Sequence, residues 1–136
     1  MIVRLRSPAR GEDGAAVVEF VLVSALVMGL LLAVLQVAVY VHARNVVAAS
    51  AQEGARYAAN ADVDSSAGAA RTLDIVRRSL GGSTADGLRC DSTEELDQTG
   101  LVLVVVRCTG AVPALFGALG DLLPVNATGR AIKEGQ

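Results

Sequence analysis

The sequence predicts an α+β fold. In it, a long N-terminal transmembrane helix continues outside the membrane and is followed by a second, amphipathic helix and a small, mostly antiparallel sheet. An apolar stretch runs from Gly14 to Val41, apolar residues recur at helical spacing from Ala67 to Leu80, and β-branched residues fill Leu101 to Cys108. The chain has 136 residues, which allows one small domain besides the long helix.

The apolar stretch has the length and composition of a membrane-spanning helix. No charged residue occurs from Phe20 to Val41, and an apolar helix of about 20 residues crosses the roughly 30 Å hydrocarbon core of a bilayer. Arg4, Arg6 and Arg10 precede the stretch, and positive residues favour the cytoplasmic side. We therefore predict a single-pass protein of the cell membrane that contacts lipid, with a cytoplasmic N-terminus and an extracytoplasmic C-terminal domain.

Composition argues against several functional classes. The net charge is −2 and no basic run is interleaved with aromatic residues, so we predict no nucleic-acid partner. The one histidine, His42, lies at the predicted membrane edge, which leaves no credible Ser/His/Asp set, and we predict that the protein is not an enzyme. Two cysteines without a partner histidine do not complete a zinc site, so neither a metal nor another cofactor is predicted.

Three segments follow from these patterns: a cytoplasmic leader at 1–14, a transmembrane and juxtamembrane helix at 15–60, and a small extracytoplasmic α+β domain at 61–136. The helix is predicted to be continuous from about Ala16 to Asn60. Small residues that allow two helices to approach closely recur along it, namely Ala25, Gly29, Ala33, Ala51, Ala55 and Ala59. This spacing predicts packing against a neighbouring helix, and with it a helix-mediated oligomer.

The C-terminal domain is predicted from a change in hydrophobic period. The helix at Ala67 to Leu80 is amphipathic, and Gly81-Gly82 ends it. Strands are predicted at Leu88 to Asp91, Leu101 to Cys108 and Val125 to Ile132, with a polar acidic turn from Asp91 to Gly100 and a short helix from Pro113 to Leu119.

Both cysteines, Cys90 and Cys108, follow the membrane segment. Their position is consistent with a disulfide in an oxidising compartment. If the two residues lie on neighbouring strands or strand ends, the bond stabilises the domain by roughly 3 kcal/mol in the chain-entropy estimate.

Two signatures resemble a known family. The first is GAAVVEF, in which Gly14 precedes a predicted scissile bond to Ala15, with Glu19 and Phe20 downstream. The second is juxtamembrane and consists of Ala43, Arg44 and Asn45 followed by Glu53, Gly54, Ala55 and Arg56. Over about Arg10 to Ala59 the chain resembles the TadE-like (TadE/TadG) pseudopilin family of tight-adherence, or Flp-type, pilus systems. It departs from common members at Gln36, where a membrane-embedded Glu is often found, and at Ala15, where prepilins carry Phe.

The resemblance implies a pilin-like fold and a minor pseudopilin-like role in assembly of such a pilus or a related secretion apparatus. A prepilin peptidase would cut Gly14–Ala15, and the new amino group would pair with Glu19 within or between subunits. Glu19 and Phe20 are thereby assigned to recognition or subunit register. Pilus platform proteins and other pseudopilins are the other implied partners. From its residue type alone, Glu19 is equally a carboxylate favoured by the helix N-terminus and headgroup water.

Two alternatives remain open from the sequence. An uncleaved, signal-anchored bitopic structural or adhesion protein would keep its start at Met1 or Ile2. A small secreted, disulfide-bonded domain would be released by signal peptidase near Arg44, after the poor cleavage site Val41-His42-Ala43.

Overall fold

The computed structural model describes residues 12–113 and 122–135. The elements along the chain are α1 (Glu12–Ala58), α2 (Ala67–Leu80), α3 (Gly82–Asp86), β1 (Leu88–Leu96), β2 (Val102–Pro113) and β3 (Leu122–Ile132). Two compact units divide the chain, Met1–Leu35 and Gln36–Gln136, and α1 contributes residues to both. The long apolar helix, the further helices and the small antiparallel sheet confirm the predicted α+β class.

The sheet has three strands in the order β1-β2-β3, with both neighbouring pairs antiparallel. β2 is central, as its run of β-branched residues predicts, because such side chains pack well on a buried pleated surface. Its residues Val104, Val105 and Val106 are completely buried.

Hydrogen bonds at the strand ends fix which backbone groups point into the sheet and which point out. The amide of Ala111 donates to Gly87 O (3.2 Å) at one end of the β1–β2 pair, and the amide of Asp97 donates to Leu101 O (2.8 Å) at the other. Bonded and non-bonded pairs alternate along an antiparallel ladder. Odd-numbered residues of β1 therefore bond β2, while even-numbered residues from Leu88 to Leu96 direct their backbone groups away from the sheet.

The C-terminal part of α1 lies along β3 in the same direction. The Tyr40 hydroxyl donates to Pro124 O (2.8 Å), and the side chain of Gln52 bonds the backbone of Arg130. From Tyr40 to Gln52 a helix rises about 18 Å, and from Pro124 to Arg130 a strand rises about 20 Å. The two elements therefore stay side by side over this length. Beyond them, the amide of Glu134 donates to Ala59 O (2.8 Å).

The core lies between one face of the sheet and the two longer helices. Its buried members are small or β-branched, and they include Ala43, Val47, Ala51, Ala55, Val76, Val106, Cys108, Val125 and Ala127. The two helices approach the sheet closely because the residues at their contacts are short. A Cβ added at Gly129 would lie 2.2 Å from Ala51 O, so this glycine permits the close approach of strand and helix backbones.

The predicted acidic turn from Asp91 to Gly100 is wrong over its first part, because β1 continues to Leu96 instead of ending at Asp91. Pairing with β2 overrides the weak β-propensity of this polar segment. The Arg107 guanidinium also neutralises part of its charge through an ion pair with Glu95 (2.6 Å). The turn itself is confined to the residues after Leu96, where Gly100 adopts a positive φ of 84°.

The helix at Ala67–Leu80 is confirmed with the predicted bounds, and α1 begins and ends within a few residues of its prediction. β2 extends beyond Cys108 to Pro113, and β3 begins at Leu122 rather than Val125. α3 was not predicted. Of the predicted helix from Pro113 to Leu119, Pro113 is the last residue of β2, and the remainder lies outside the described residues.

Candidate functional site: the N-terminal helix

The first half of α1 exposes apolar side chains on all sides. Every residue from Gly14 to Leu31 is exposed, and the most apolar window of the helix has none of its surface buried by the rest of the chain. The large exposed side chains include Val17, Val18, Phe20, Val21, Leu22, Leu26, Leu30 and Leu31. A helix that is apolar all round needs an apolar environment on every side. This helix is long and apolar enough to cross a membrane.

Burial on one face of α1 begins just after this segment, while Val37 and Val41 on other faces remain exposed. Leu35 is 46% exposed, whereas the next residue, Gln36, is 4% exposed and is held by a polar interaction. From Gly14 to Leu35 a helix rises about 33 Å, close to the thickness of the bilayer hydrocarbon core. The exposed segment thus has the length that one crossing requires. The structure buries the side chain of Gln36 at this boundary.

The residues of the predicted processing signal lie at the start of α1. Gly14, Ala15, Glu19 and Phe20 are helical and exposed, and a Cβ added at Gly14 would meet nothing within 4 Å. The bond between Gly14 and Ala15 lies within the described helix. Cleavage there requires the helix to open locally. Processing at this bond stays a prediction.

The small residues of the predicted packing row fall into two groups. Ala25, Gly29 and Ala33 are exposed in the apolar segment. Ala51, Ala55 and Ala59 are buried within the C-terminal unit. Burial inside the chain accounts for the small size of the second group, so these three residues are not exposed to a neighbouring subunit. Association through the first group stays a prediction.

The juxtamembrane signature divides in the same way between buried and exposed positions. Ala43, Gly54 and Ala55 are buried. The charged and amide-bearing members Arg44, Asn45, Glu53 and Arg56 are exposed. The signature therefore combines positions that build the domain with positions that are available to solvent or to a partner.

Gly54 is the point at which α2 crosses α1. A Cβ added there would lie 2.0 Å from Thr72 Oγ1 and 2.5 Å from Gly68 O, so only glycine fits. Thr72 is completely buried, and its hydroxyl lies within hydrogen-bonding distance of Gly68 O (2.8 Å) and Ser50 O (3.2 Å). Gly68 in turn lies against Ser92 and Val106 of the sheet. Gly54 thus allows α1 and α2 to pack closely against each other on one face of the sheet.

Two polar side chains that the sequence analysis did not identify hold α1 to the end of the chain. Gln52 accepts the amide hydrogen of Arg130 (3.1 Å) and donates to its carbonyl oxygen (2.7 Å), which satisfies outward backbone groups of β3. Lys133 Nζ donates to Ala58 O (3.0 Å), Val63 O (2.7 Å) and Ser65 Oγ (3.0 Å). A cation beside the last carbonyls of α1 also suits the helix dipole. No local sequence pattern marks either residue, because both partners are distant in the chain.

The loop after α1 contains a carboxylate with a perturbed pKa. The side chain of Ser66 and then its backbone amide, which donates to Asp64 Oδ1 (2.8 Å), hydrogen-bond the Asp64 carboxylate and hold its pKa below the ordinary value. Desolvation opposes this shift, and the positive charge of Lys133 adds a still smaller effect that lowers the pKa.

Cys90 and Cys108 form a disulfide between β1 and β2. The two residues are direct partners in the strand register, with a Cα–Cα distance of 4.1 Å, which is typical of a non-hydrogen-bonded antiparallel pair. Cys108 is completely buried and Cys90 half-buried.

A shallow cleft lies where β1 begins, lined by Asp86, Gly87, Leu88, Arg89, Thr109 and Gly110. Its one carboxylate, Asp86, is paired with Arg77 (3.1 Å). Across the described residues no group of three His, Cys, Asp or Glu side chains is placed to hold a metal ion. The cleft offers no paired carboxylates and no nucleophile with a base, and we derive no reaction from it.

Comparison with known proteins bears on the N-terminal helix. Residues 14–56 match a family model described as TadE-like protein. No curated protein and no solved structure matches the chain. The matched segment contains the apolar span and both signatures. It confirms the resemblance to the TadE-like family over these residues.

Proposed function

We propose that this chain, whose residues 14–56 match the TadE-like family, is a minor pseudopilin-like structural component of a tight-adherence, or Flp-type, pilus or a related secretion apparatus. Its task in this proposal is assembly, through its N-terminal helix. Prepilin peptidase, pilus platform proteins and other pseudopilins are its proposed partners.

The proposal rests on the difference in burial between the two parts of α1. Its first part, to Leu35, is apolar and unburied, whereas the part from Gln36 onward is built into the core of a compact domain. An assembly subunit requires this combination, because the helix must be free to enter lipid or a bundle of other helices while the domain remains folded. The small exposed residues Ala25, Gly29 and Ala33 suit close helix approach in either environment.

Processing at Gly14–Ala15 follows from the proposal. Cleavage leaves an α-amino group on Ala15, four residues before Glu19, on the same side of the helix. A carboxylate in an apolar environment is costly unless a partner compensates its charge. In this proposal the amino group of Ala15, from the same or a neighbouring subunit, compensates the charge of Glu19. Glu19 then sets the register of a subunit and takes no part in chemistry.

The proposed topology places the leader in the cytoplasm and the unit from Gln36 outside. Three arginines precede the apolar segment, and the disulfide between Cys90 and Cys108 suits an oxidising compartment.

A piliation assay in the native host tests the proposal. We expect deletion of the gene to reduce surface pili and the wild-type chain to restore them. Gly29→Ile should fail to restore them because it fills the small-residue row, while the matched variant Leu30→Ile, which keeps the apolar character, should succeed. Normal piliation in the deletion strain would contradict the proposal.

One observation favours a second candidate, an uncleaved signal-anchored structural or adhesion protein. The Gly14–Ala15 bond is part of a helical turn, and Glu19 is exposed near the start of the helix, where headgroup water and the helix dipole suffice for a carboxylate. This candidate keeps residues 1–14 in the final protein, and the pseudopilin loses them.

A further inference from the structure

The two edges of the sheet differ in whether their outward backbone groups are hydrogen-bonded. Along β3, Tyr40 occupies the outward carbonyl of Pro124, and Gln52 occupies both outward groups of Arg130. Along β1, the outward backbone groups belong to the even-numbered residues. In the described part of the chain, those of Ser92 and Glu94 have no partner. One edge is therefore covered by α1, and the other is open to an added strand.

The open edge carries mostly negative charge. Asp91, Glu94, Glu95 and Asp97 lie in β1 and at its end, against one basic residue, Arg89. Asp91, Glu94 and Asp97 are exposed, and Glu95 shares its charge with Arg107. Like charges oppose the pairing of two such edges, whereas a basic strand is attracted.

The direction of the elements argues against a second copy as the occupant. β1 runs parallel to β3, and β3 runs parallel to α1 within the C-terminal unit. Antiparallel pairing of two β1 edges about a two-fold axis would reverse α1 in one copy, although subunits of one filament or membrane run the same way. Parallel pairing of two β1 edges in copies that run the same way would bring the carboxylates of β1 from both copies side by side, and like charges oppose it.

We propose that the free edge of β1 binds an extended, basic segment of another protein by strand addition. The backbone of Ser92 and Glu94 supplies the hydrogen bonds, and the exposed carboxylates of Asp91 and Asp97 attract lysine or arginine on one face of the added strand. On the other face Leu96, which is 74% exposed, takes an apolar side chain. This inference goes beyond the proposed role of the N-terminal helix and does not depend on processing at Gly14.

Binding of a synthetic peptide to the full chain in detergent micelles tests the inference. The probe is an eight-residue peptide in which lysine alternates with valine or threonine, so that all lysines lie on one face of a strand. A matched peptide has glutamate in place of lysine. A third peptide is N-methylated at alternate residues, so that one edge of the strand it forms has no N–H group to donate. We expect the first peptide to bind and the other two to bind at least about tenfold more weakly, since several hydrogen bonds or charge pairs are lost.

Two variants separate the backbone from the side chain at the edge. Glu94→Pro removes an outward N–H without removing a bond to β2, and proline is tolerated at such positions. Glu94→Ala keeps the N–H and removes the charge. We expect Glu94→Pro to weaken binding of the lysine peptide by about tenfold or more. The loss of affinity in Glu94→Ala should be severalfold smaller than the loss in Glu94→Pro. Equal affinity of the wild type and Glu94→Pro would overturn the proposal.

Amide hydrogen exchange provides a readout that does not depend on any variant. In the free protein the amides of Ser92 and Glu94 should exchange faster than those of Asp91 and Thr93, which bond β2. Addition of the lysine peptide should protect Ser92 and Glu94. Absence of binding at millimolar peptide, or protection confined to other residues, would overturn the proposal.

Discussion

At the residue scale, glycines and short polar side chains set the packing of the domain. Among the described residues the core has no buried aromatic side chain, and its packing depends on close approach of backbones at Gly54, Gly68 and Gly129. Two of these glycines lie in helices, where glycine is otherwise unfavourable by about 1 kcal/mol relative to alanine. Close contact must outweigh that cost.

We expect Gly54→Ala to lower the free energy of unfolding by about 1–3 kcal/mol, because the new methyl group overlaps Thr72 and the carbonyl of Gly68. Gly29→Ala is the matched control, since a Cβ there meets nothing within 4 Å. Chemical denaturation of both variants in detergent micelles measures the difference. An unchanged denaturation midpoint for Gly54→Ala would show that the α1–α2 crossing is looser than described.

The Asp64 carboxylate provides a pH prediction at the same scale. Its pKa is lowered in the folded protein, chiefly by the hydroxyl of Ser66, so its contribution to stability is present above the unfolded-state pKa. That contribution is lost as the pH falls through the lowered folded-state value. We expect Ser66→Ala to move the pKa of Asp64 back toward its ordinary value, as followed by NMR titration of the carboxyl carbon. A pKa that does not change in Ser66→Ala would refute the hydrogen bond as its main cause.

At the element scale, α1 and α2 were predictable from the sequence, whereas α3 and the limits of the strands were not. Hydrophobic length marks α1, and apolar periodicity with a terminal Gly81 marks α2. By contrast, β1 continues through Asp91 to Leu96 because β2 supplies its hydrogen bonds and Arg107 a counter-charge, and neither partner is local in sequence.

The same reasoning applies to the candidate site. Gly14, Glu19 and the juxtamembrane signature were identifiable as motifs in the sequence. Gln52 and Lys133 were not, because each binds backbone groups far away in the chain and neither stands in a recognisable pattern. The burial of Ala51, Ala55 and Ala59 inside the domain could not be predicted from the sequence either. A row of small residues has the same spacing whether its neighbour is another subunit or a strand of the same chain.

The disulfide between β1 and β2 is the strongest single constraint on the sheet. In the chain-entropy estimate, closing a loop of this length contributes about 3 kcal/mol, a large share of the total for a small domain. We expect the double variant Cys90→Ala and Cys108→Ala to unfold at a clearly lower temperature than the oxidised wild type. The wild type under reducing conditions is the control, and it should approach the double variant. Equal melting temperatures for oxidised and reduced wild type would contradict this role.

At the scale of the whole molecule, one continuous helix links a segment suited to a membrane with a domain suited to an aqueous compartment. Burial of side chains on α1 begins at Gln36, within the apolar stretch, so a single element serves both environments. In the proposed function the helix anchors the subunit before assembly and packs with other helices afterwards. In the same proposal the domain presents its charged signature residues and the open edge of β1 outside the membrane.

Intact mass and N-terminal sequence of the chain, extracted from membranes of its native host, test this account most directly. The host is compared with a strain that lacks prepilin peptidase. We expect a start at Ala15 in the first strain and at Met1 or Ile2 in the second. A full-length chain in a host whose peptidase processes other substrates would contradict the pseudopilin role and leave a signal-anchored protein. A start near Arg44 would remove the apolar segment and contradict both.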